Sequence, residues 1–76
     1  MTMTTTAHTM SQTAARRDRA LTQYTRTTAR MDAAARSGKT VDITDLLRTL
    51  EAWAEQARAQ GATETQIENA SLAGLS

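Results

Sequence analysis

The sequence predicts an all-α protein in which an antiparallel helical hairpin is followed by a short third helix. The chain has no Pro, its apolar residues recur at helical spacing, and glycines separate the periodic stretches. Its 76 residues suffice for one small domain at most. We expect residues 1–10 to be a disordered tail. Residues 11–76 are expected to form a single helical domain, with helices over about 12–36, 43–60 and 64–72.

The second predicted helix carries the strongest apolar pattern of the chain. Between Val41 and Gln60, apolar residues repeat at steps of three and four, which places them on one helical face. Asp42 is the expected N-cap, Asp45 adds negative charge to the first turn, and Gly61 ends the helix. The apolar stripe consists of Ile43, Leu46, Leu47, Leu50, Trp53, Ala54 and Ala57.

The first predicted helix is longer but has a weaker apolar face. Ser11 is its expected cap, and Gly38 can adopt the left-handed conformation that ends a helix. Its threonines lower helix propensity by about 0.5 kcal/mol each relative to Ala, so this helix depends on packing against a neighbour. The seam for that packing shows the alternating three- and four-residue steps of paired helices and comprises Leu21, Tyr24, Thr28, Met31 and Ala35.

The third predicted helix is short. Thr63 is its expected cap, and the spacing from Thr63 to Gln66 permits a reciprocal capping box. Its larger apolar residues are Ile67 and Leu72.

The residues from Gln66 to Ser76 resemble the first helix and turn of a helix-turn-helix DNA-binding motif. The matching positions are Ala70, Gly74, Leu75 and Ser76. Asn69 stands where the motif usually carries an aliphatic residue, and the sequence ends at Ser76, where the recognition helix would begin. The resemblance implies a DNA-binding role for this short segment.

The small size of the chain favours self-association. It contains no Cys, and His8 is its only His, so neither a disulfide nor a structural zinc site is expected, and no cofactor is predicted. A core of this size contributes only about 3–5 kcal/mol, and one hairpin cannot enclose its own apolar stripe. We predict a homodimer in which two hairpins form a four-helix arrangement around Leu46, Leu50, Trp53 and Ala57. The predicted core and interface residues are Leu21, Tyr24, Met31, Ile43, Leu46, Leu47, Leu50, Trp53 and Ala57.

Charge is distributed asymmetrically along the chain. Residues up to Lys39 carry seven basic and two acidic side chains, whereas the remainder carries two basic and six acidic ones. Four arginines of the first helix fall within an arc of about 80°. Such an edge is either a solvated face, paired with acidic residues of the same chain or a second copy, or a surface about 20 Å long for nucleic-acid phosphates. The arginines are Arg16, Arg19, Arg26 and Arg30, and the acidic candidates are Glu51, Glu55 and Glu68.

Catalytic signatures are missing from the sequence. There is no His pair, no Cys nucleophile and no Gly-rich phosphate loop, so we predict neither an enzyme nor a small-molecule substrate. The favoured function is a small self-associating helical interaction or adaptor protein, in which Trp53 is either core or an exposed anchor for a protein partner. The alternative is a nucleic-acid-binding accessory protein or transcriptional regulator that uses the arginine edge.

Sequence features favour a cytoplasmic protein without a membrane partner. The start of the chain lacks a charged and apolar secretory signal, no stretch is long enough to span a bilayer, and the absence of Cys fits a reducing compartment. The Arg-, Thr- and Ala-rich first half overlaps organellar transit peptides in composition, but Asp18 and Asp32 count against that interpretation. The apolar face of the first helix is mainly Ala and Thr, which insert weakly into a membrane surface.

Overall fold

The described part of the chain folds into three α-helices. A computed structural model of the chain describes residues 2–38 and 42–75, and the side chains of residues 12–38 and 42–75. Helix α1 spans Thr2–Arg36, α2 spans Thr44–Ala59 and α3 spans Glu64–Gly74, and there is no strand in those parts of the chain. The all-α prediction is confirmed for them. Within the same ranges, no helix combines the length and the apolarity needed to cross a bilayer.

Helix α1 is longer than the sequence suggested. It begins at Thr2, so the backbone of residues 2–10 is helical where we predicted a disordered tail. Ser11 consequently lies inside the helix and not at its N-cap. The physical reason is that neither Pro nor Gly occurs between Thr2 and Arg36, so no residue of the kind that interrupts a helix separates the two segments.

Both predicted helix-ending glycines adopt the left-handed conformation. Gly38 has φ of 71° just beyond α1, and Gly61 has φ of 92° just beyond α2, as expected for residues that end helices. Lys39, Thr40 and Val41, which belong to the predicted connection, lie outside the described residues.

The starts of α2 and α3 use different capping interactions. The N-cap position of α2 is Ile43, one residue beyond the predicted Asp42, and Ile43 has no capping side-chain hydrogen bond. Asp42 instead accepts a hydrogen bond from the backbone N–H of Thr44 at 2.9 Å through its carboxylate. At α3 the predicted capping box is confirmed. Thr63 Oγ1 accepts from the N–H of Gln66 at 3.1 Å, and Gln66 Oε1 accepts from the N–H of Thr63 at 2.9 Å.

Helix α1 contacts both of the other helices, whereas α2 and α3 scarcely touch each other. Arg16 of α1 lies beside Gln60 at the end of α2, and Tyr24 lies beside Leu50, so α2 runs antiparallel to α1 as predicted. Thr25 of α1 contacts Ala70 of α3, and three residues further on Thr28 contacts Gly74, so α3 runs parallel to α1. The N-terminal half of α2 and the C-terminal end of α3 therefore lie at the same end of the molecule.

Small side chains form the buried centre between the helices. The buried apolar residues are four alanines and one isoleucine, and two threonines of α1 are buried beside them. The hydroxyls of these threonines donate to carbonyl oxygens one turn earlier in α1, at 2.8 and 3.0 Å, so burial leaves neither unsatisfied. Helices can approach closely when such small residues meet, but little apolar area is then removed from water. The buried set is Ala20, Ala54, Ala57, Ile67 and Ala70, with Thr27 and Thr28.

Candidate interaction surfaces

The predicted core and interface residues occupy three different environments. Ala57 is fully buried. Leu21, Tyr24 and Trp53 are partly buried and pack against the core, and Met31, Leu46 and Leu50 are half-buried. Ile43 and Leu47 are 42% and 43% exposed, so these two residues do not belong to the core of the single chain. The reason is that the close contact of α1 with α2 is made by small residues, since Ala20 of α1 packs with Ala54 and Ala57 of α2.

Four large aliphatic side chains are exposed at one end of the molecule. Ile43 is the N-cap residue of α2 and Leu47 lies in its first half, while Leu72 lies near the end of α3 and Leu75 just after it, 56% and 48% exposed. The directions of the helices bring these two segments to the same end, on either side of the second half of α1. We call these four residues the aliphatic end. Isolated exposed leucines are ordinary on protein surfaces, but several in one region indicate a contact surface.

The four predicted arginines of α1 are all exposed. We call Arg16, Arg19, Arg26 and Arg30 the arginine edge of α1. Its first two members, Arg16 and Arg19, lie beside Trp53 and Gln60. None of them takes part in an ion pair with the described residues. The ion pairs found among those residues are Arg17–Asp18, Arg36–Asp32 and Arg58–Glu64. Among the side chains that the structure describes, the arginine edge therefore forms no ion pair with an acidic residue.

A pocket of about 280 Å³ lies at the start of the arginine edge. It is open to solvent, and we call it the Trp53 pocket. Two arginines, one tryptophan, two glutamines and one alanine line it, and none of these lining residues is acidic. The residues are Arg16, Arg19 and Ala20 of α1 with Trp53 and Gln56 of α2 and Gln60 just after it.

The acidic side chains that we considered as partners for the arginines lie elsewhere. Glu51 and Glu55 line a separate pocket of about 300 Å³ with Tyr24, Leu50, Ala54 and Arg58, which shares no residue with the Trp53 pocket. Glu68 is exposed on α3. The described residues include no cluster of three or more His, Cys, Asp or Glu side chains suited to a metal ion.

One ion pair connects the end of α2 to the start of α3. Arg58 donates a hydrogen bond through Nε to Glu64 Oε1. A second guanidinium nitrogen of Arg58 donates to Glu64 Oε2 at 3.1 Å. These hydrogen bonds hold the pKa of the Glu64 carboxyl below its ordinary value and raise that of Arg58. The pair is exposed, so it positions α3 more than it stabilises the fold.

The predicted core omits the small residues of α1 that are buried or half-buried in the structure. Ala20 and Thr27 are both buried, and Ala34, half-buried, follows at the same seven-residue interval. This seven-residue repeat of small residues is the sequence signal for the packed face of α1. A pattern of hydrophobicity gives it little weight, because large apolar residues dominate such a pattern.

The segment that resembles a helix-turn-helix motif packs against α1. Ala70 is buried, and Gly74 remains helical with its Cα close to Thr25 and Thr28. Small residues at these two positions are therefore explained by helix packing alone. Comparisons with protein-family models, with curated proteins and with solved structures found no match to this chain.

Proposed function

We propose that the protein is a small self-associating helical interaction protein, in which the aliphatic end is the contact surface between two copies. The observation that carries this proposal is the exposure of Ile43, Leu47, Leu72 and Leu75 at one end of a molecule whose buried apolar residues are mostly alanine. A second chain would remove these side chains from water, and each fully buried leucine or isoleucine contributes about 1.5–3 kcal/mol.

The charges around the aliphatic end favour a second copy as the partner. Asp45, Arg48 and Glu51 are exposed on α2 in the same stretch as Leu47, so both signs of charge border the leucine. In a two-fold dimer each patch meets its own copy, and a surface with both signs can be complementary to itself. This contact differs from the four-helix arrangement predicted around Leu46, Leu50, Trp53 and Ala57, because Ala57 is already fully buried within one chain.

Light scattering coupled to size-exclusion chromatography, over a range of micromolar concentrations, tests this proposal. We expect a mass of twice 8.2 kDa at the upper concentrations. Leu47→Ser and Leu72→Ser should shift the protein towards the monomer while circular dichroism still shows a helical chain. Ala59→Ser and Thr65→Ser, at exposed positions of the same two helices, serve as controls and should leave the mass unchanged. A wild-type chain that is monomeric and cooperatively folded throughout would contradict the proposal.

A second candidate function is nucleic-acid binding by the arginine edge. It is favoured by the four exposed arginines that have no ion pair with the described residues. From Arg16 to Arg30 the edge extends over about 21 Å of helix, which is enough to contact several phosphates.

Salt dependence distinguishes this candidate from a solvated face. Binding to single-stranded and duplex DNA should weaken steeply as salt rises, and Arg26→Gln with Arg30→Gln should lower the slope against the logarithm of salt by about 1.4–1.8. Arg36→Gln with Arg48→Gln removes the same charge outside the edge and is the control. Absence of binding to either form at low salt would exclude the candidate.

A further inference from the structure

The Trp53 pocket joins three kinds of chemical group within one small concavity. Trp53 is the single Trp of the chain, is partly buried against the core and also lines the pocket. Arg16 and Arg19 bring two permanent positive charges to one side. Gln56 and Gln60 bring carboxamides, each of which can both donate and accept hydrogen bonds.

These groups match the parts of a nucleotide. An indole offers a flat surface on which a base can stack, and base–aromatic stacking tolerates any base because every base has a π-face. Guanidinium groups bind phosphate oxygens through paired N–H donors. Carboxamides can hydrogen-bond to the edge of a base. The lining contains no carboxylate that would repel a phosphate.

We infer that the Trp53 pocket binds one nucleotide unit, with its base against Trp53 and its phosphate at Arg16 and Arg19. This inference rests on the second candidate function and makes it more specific. A base within a duplex is paired and stacked, so it enters a pocket in the protein surface only after flipping out of the stack at an energetic cost, whereas an unpaired base enters without that cost. The ligand is therefore an unpaired nucleotide, supplied either by a single strand or as a free nucleotide.

The remaining arginines favour a strand as the source. Arg26 and Arg30 continue from Arg19 along the same flank of α1, about 10 and 16 Å further on at 1.5 Å per residue. A free nucleotide would use only the pocket, but a strand with one base in the pocket could place further phosphates along this edge.

Fluorescence of Trp53 tests the inference directly, because selective excitation of Trp reports this side chain alone. A short oligothymidylate strand should quench the emission, thymidine monophosphate should quench it only at higher concentration, and thymidine without phosphate should have the weakest effect. Quenching by thymidine monophosphate as effective as that by the strand would identify a free nucleotide as the ligand. A duplex of the same length should bind without quenching.

Variants separate the pocket from the rest of the edge. Arg16→Gln with Arg19→Gln should weaken binding of the strand by about tenfold or more at low salt. The same double variant should lower the slope of the logarithm of the binding constant against the logarithm of salt by about 1.4. Arg36→Gln with Arg48→Gln should do neither. Trp53→Leu should weaken binding of a labelled strand, measured by anisotropy, by about fivefold or more. Trp53→Phe retains an aromatic ring and most of the packing volume, so it should bind more tightly than Trp53→Leu and keep the fold.

The outcomes also separate this inference from nucleic-acid binding in general. A strand that binds with a steep salt dependence but neither quenches Trp53 nor requires Arg16 and Arg19 would overturn the nucleotide pocket and leave the arginine edge as a phosphate-binding surface. No binding of strand, duplex or nucleotide at low salt would overturn both.

Discussion

A Cβ atom placed on Gly74 would lie 2.7 Å from Cβ of Thr28 and 2.6 Å from the carbonyl oxygen of Thr25. Side chains do not approach each other or a backbone this closely, so α3 contacts α1 at a separation that only glycine allows at this position. Gly74 has no positive φ and lies within α3. Its function is thus close helix packing and not chain reversal.

Substitution of Gly74 by Ala should destabilise the fold. Ala would normally favour a helix by about 1 kcal/mol relative to Gly, but its Cβ would push α3 away from the backbone of α1. Overpacking of this kind costs about 1–3 kcal/mol, so we expect Gly74→Ala to lower the melting temperature by several degrees, at about 4–8 °C per kcal/mol. Circular dichroism melts at one fixed protein concentration measure this, because self-association makes melting concentration-dependent.

The control for Gly74 is the adjacent Ala73, which is exposed. Ala73→Gly alters helix propensity alone and should cost about 1 kcal/mol. A Gly74→Ala protein that melts at or above the wild-type temperature would show that α3 does not lie this close to α1.

Thr25 supplies a hydrogen bond from α1 to α3. Its hydroxyl lies 2.8 Å from the carbonyl oxygen of Ala70 and 3.1 Å from that of Leu21, and its one proton can be donated to either. Thr25→Val preserves the shape but removes the donor. We expect a loss of about 1 kcal/mol in the free energy of unfolding, measured by urea titration.

Thr22→Val is the matched control for Thr25, since Thr22 is exposed on the same helix. The two substitutions change helix propensity equally. Equal stabilities of both variants would mean that the bond to Ala70 contributes nothing measurable.

The periodic spacing of apolar residues predicts where the helices lie but not how deeply each side chain is buried. The second and third predicted helices, 43–60 and 64–72, are observed as Thr44–Ala59 and Glu64–Gly74, because local signals such as Gly61 and the Thr63 capping box determine where helices start and end. Depth depends on which helix packs against which face. Leu47 and Ala54 belong to one predicted stripe, yet Leu47 is 43% exposed and Ala54 is 6% exposed.

The same limit applies to the candidate sites. The arginine edge followed from helical geometry alone, because residues on one helix have fixed angular relations. The Trp53 pocket could not be predicted, since it requires the register between α1 and α2, which places Arg16 beside Gln60. That register depends on the close contact of small residues such as Ala20 and Ala57, which carry little weight in a pattern of hydrophobicity.

Ala57 should tolerate enlargement far less than a neighbouring alanine of α2. Ala57 is fully buried, whereas Ala59 is exposed on the same helix. Ala57→Leu inserts three carbon atoms between closely packed helices and should cost about 1–3 kcal/mol or more, while Ala59→Leu should change stability by about 0.5 kcal/mol at most. Thermal melts of the two variants side by side check this, and similar melting temperatures would argue against close contact of α1 with α2.

Two carboxylates should make the fold less stable in acid. The backbone hydrogen bond from Thr44 lowers the pKa of Asp42 below its ordinary value of 3.8, and the hydrogen bond from Arg58 lowers that of Glu64 below 4.5. Because both groups bind protons more weakly in the folded chain, their contribution is complete above these ordinary values. This contribution to stability is lost as the pH falls below the ordinary pKa values and through the lower pKa values of the folded chain. The melting temperature should therefore be lower at about pH 3 than at about pH 7.

Glu64→Gln isolates the part of this dependence that comes from the pair with Arg58. The variant should melt below the wild type near neutral pH, and the two should converge in acid, where Glu64 of the wild type is protonated and the pair is lost. Glu68→Gln makes the same change at an exposed position of α3 that has no ion pair with the described residues, so its difference from the wild type should vary less with pH. A difference in melting temperature between Glu64→Gln and the wild type that stayed constant from neutral to acid pH would mean that ionisation of Glu64 does not contribute to stability. The capping box of Thr63 and Gln66 would then be the main local interaction that starts α3.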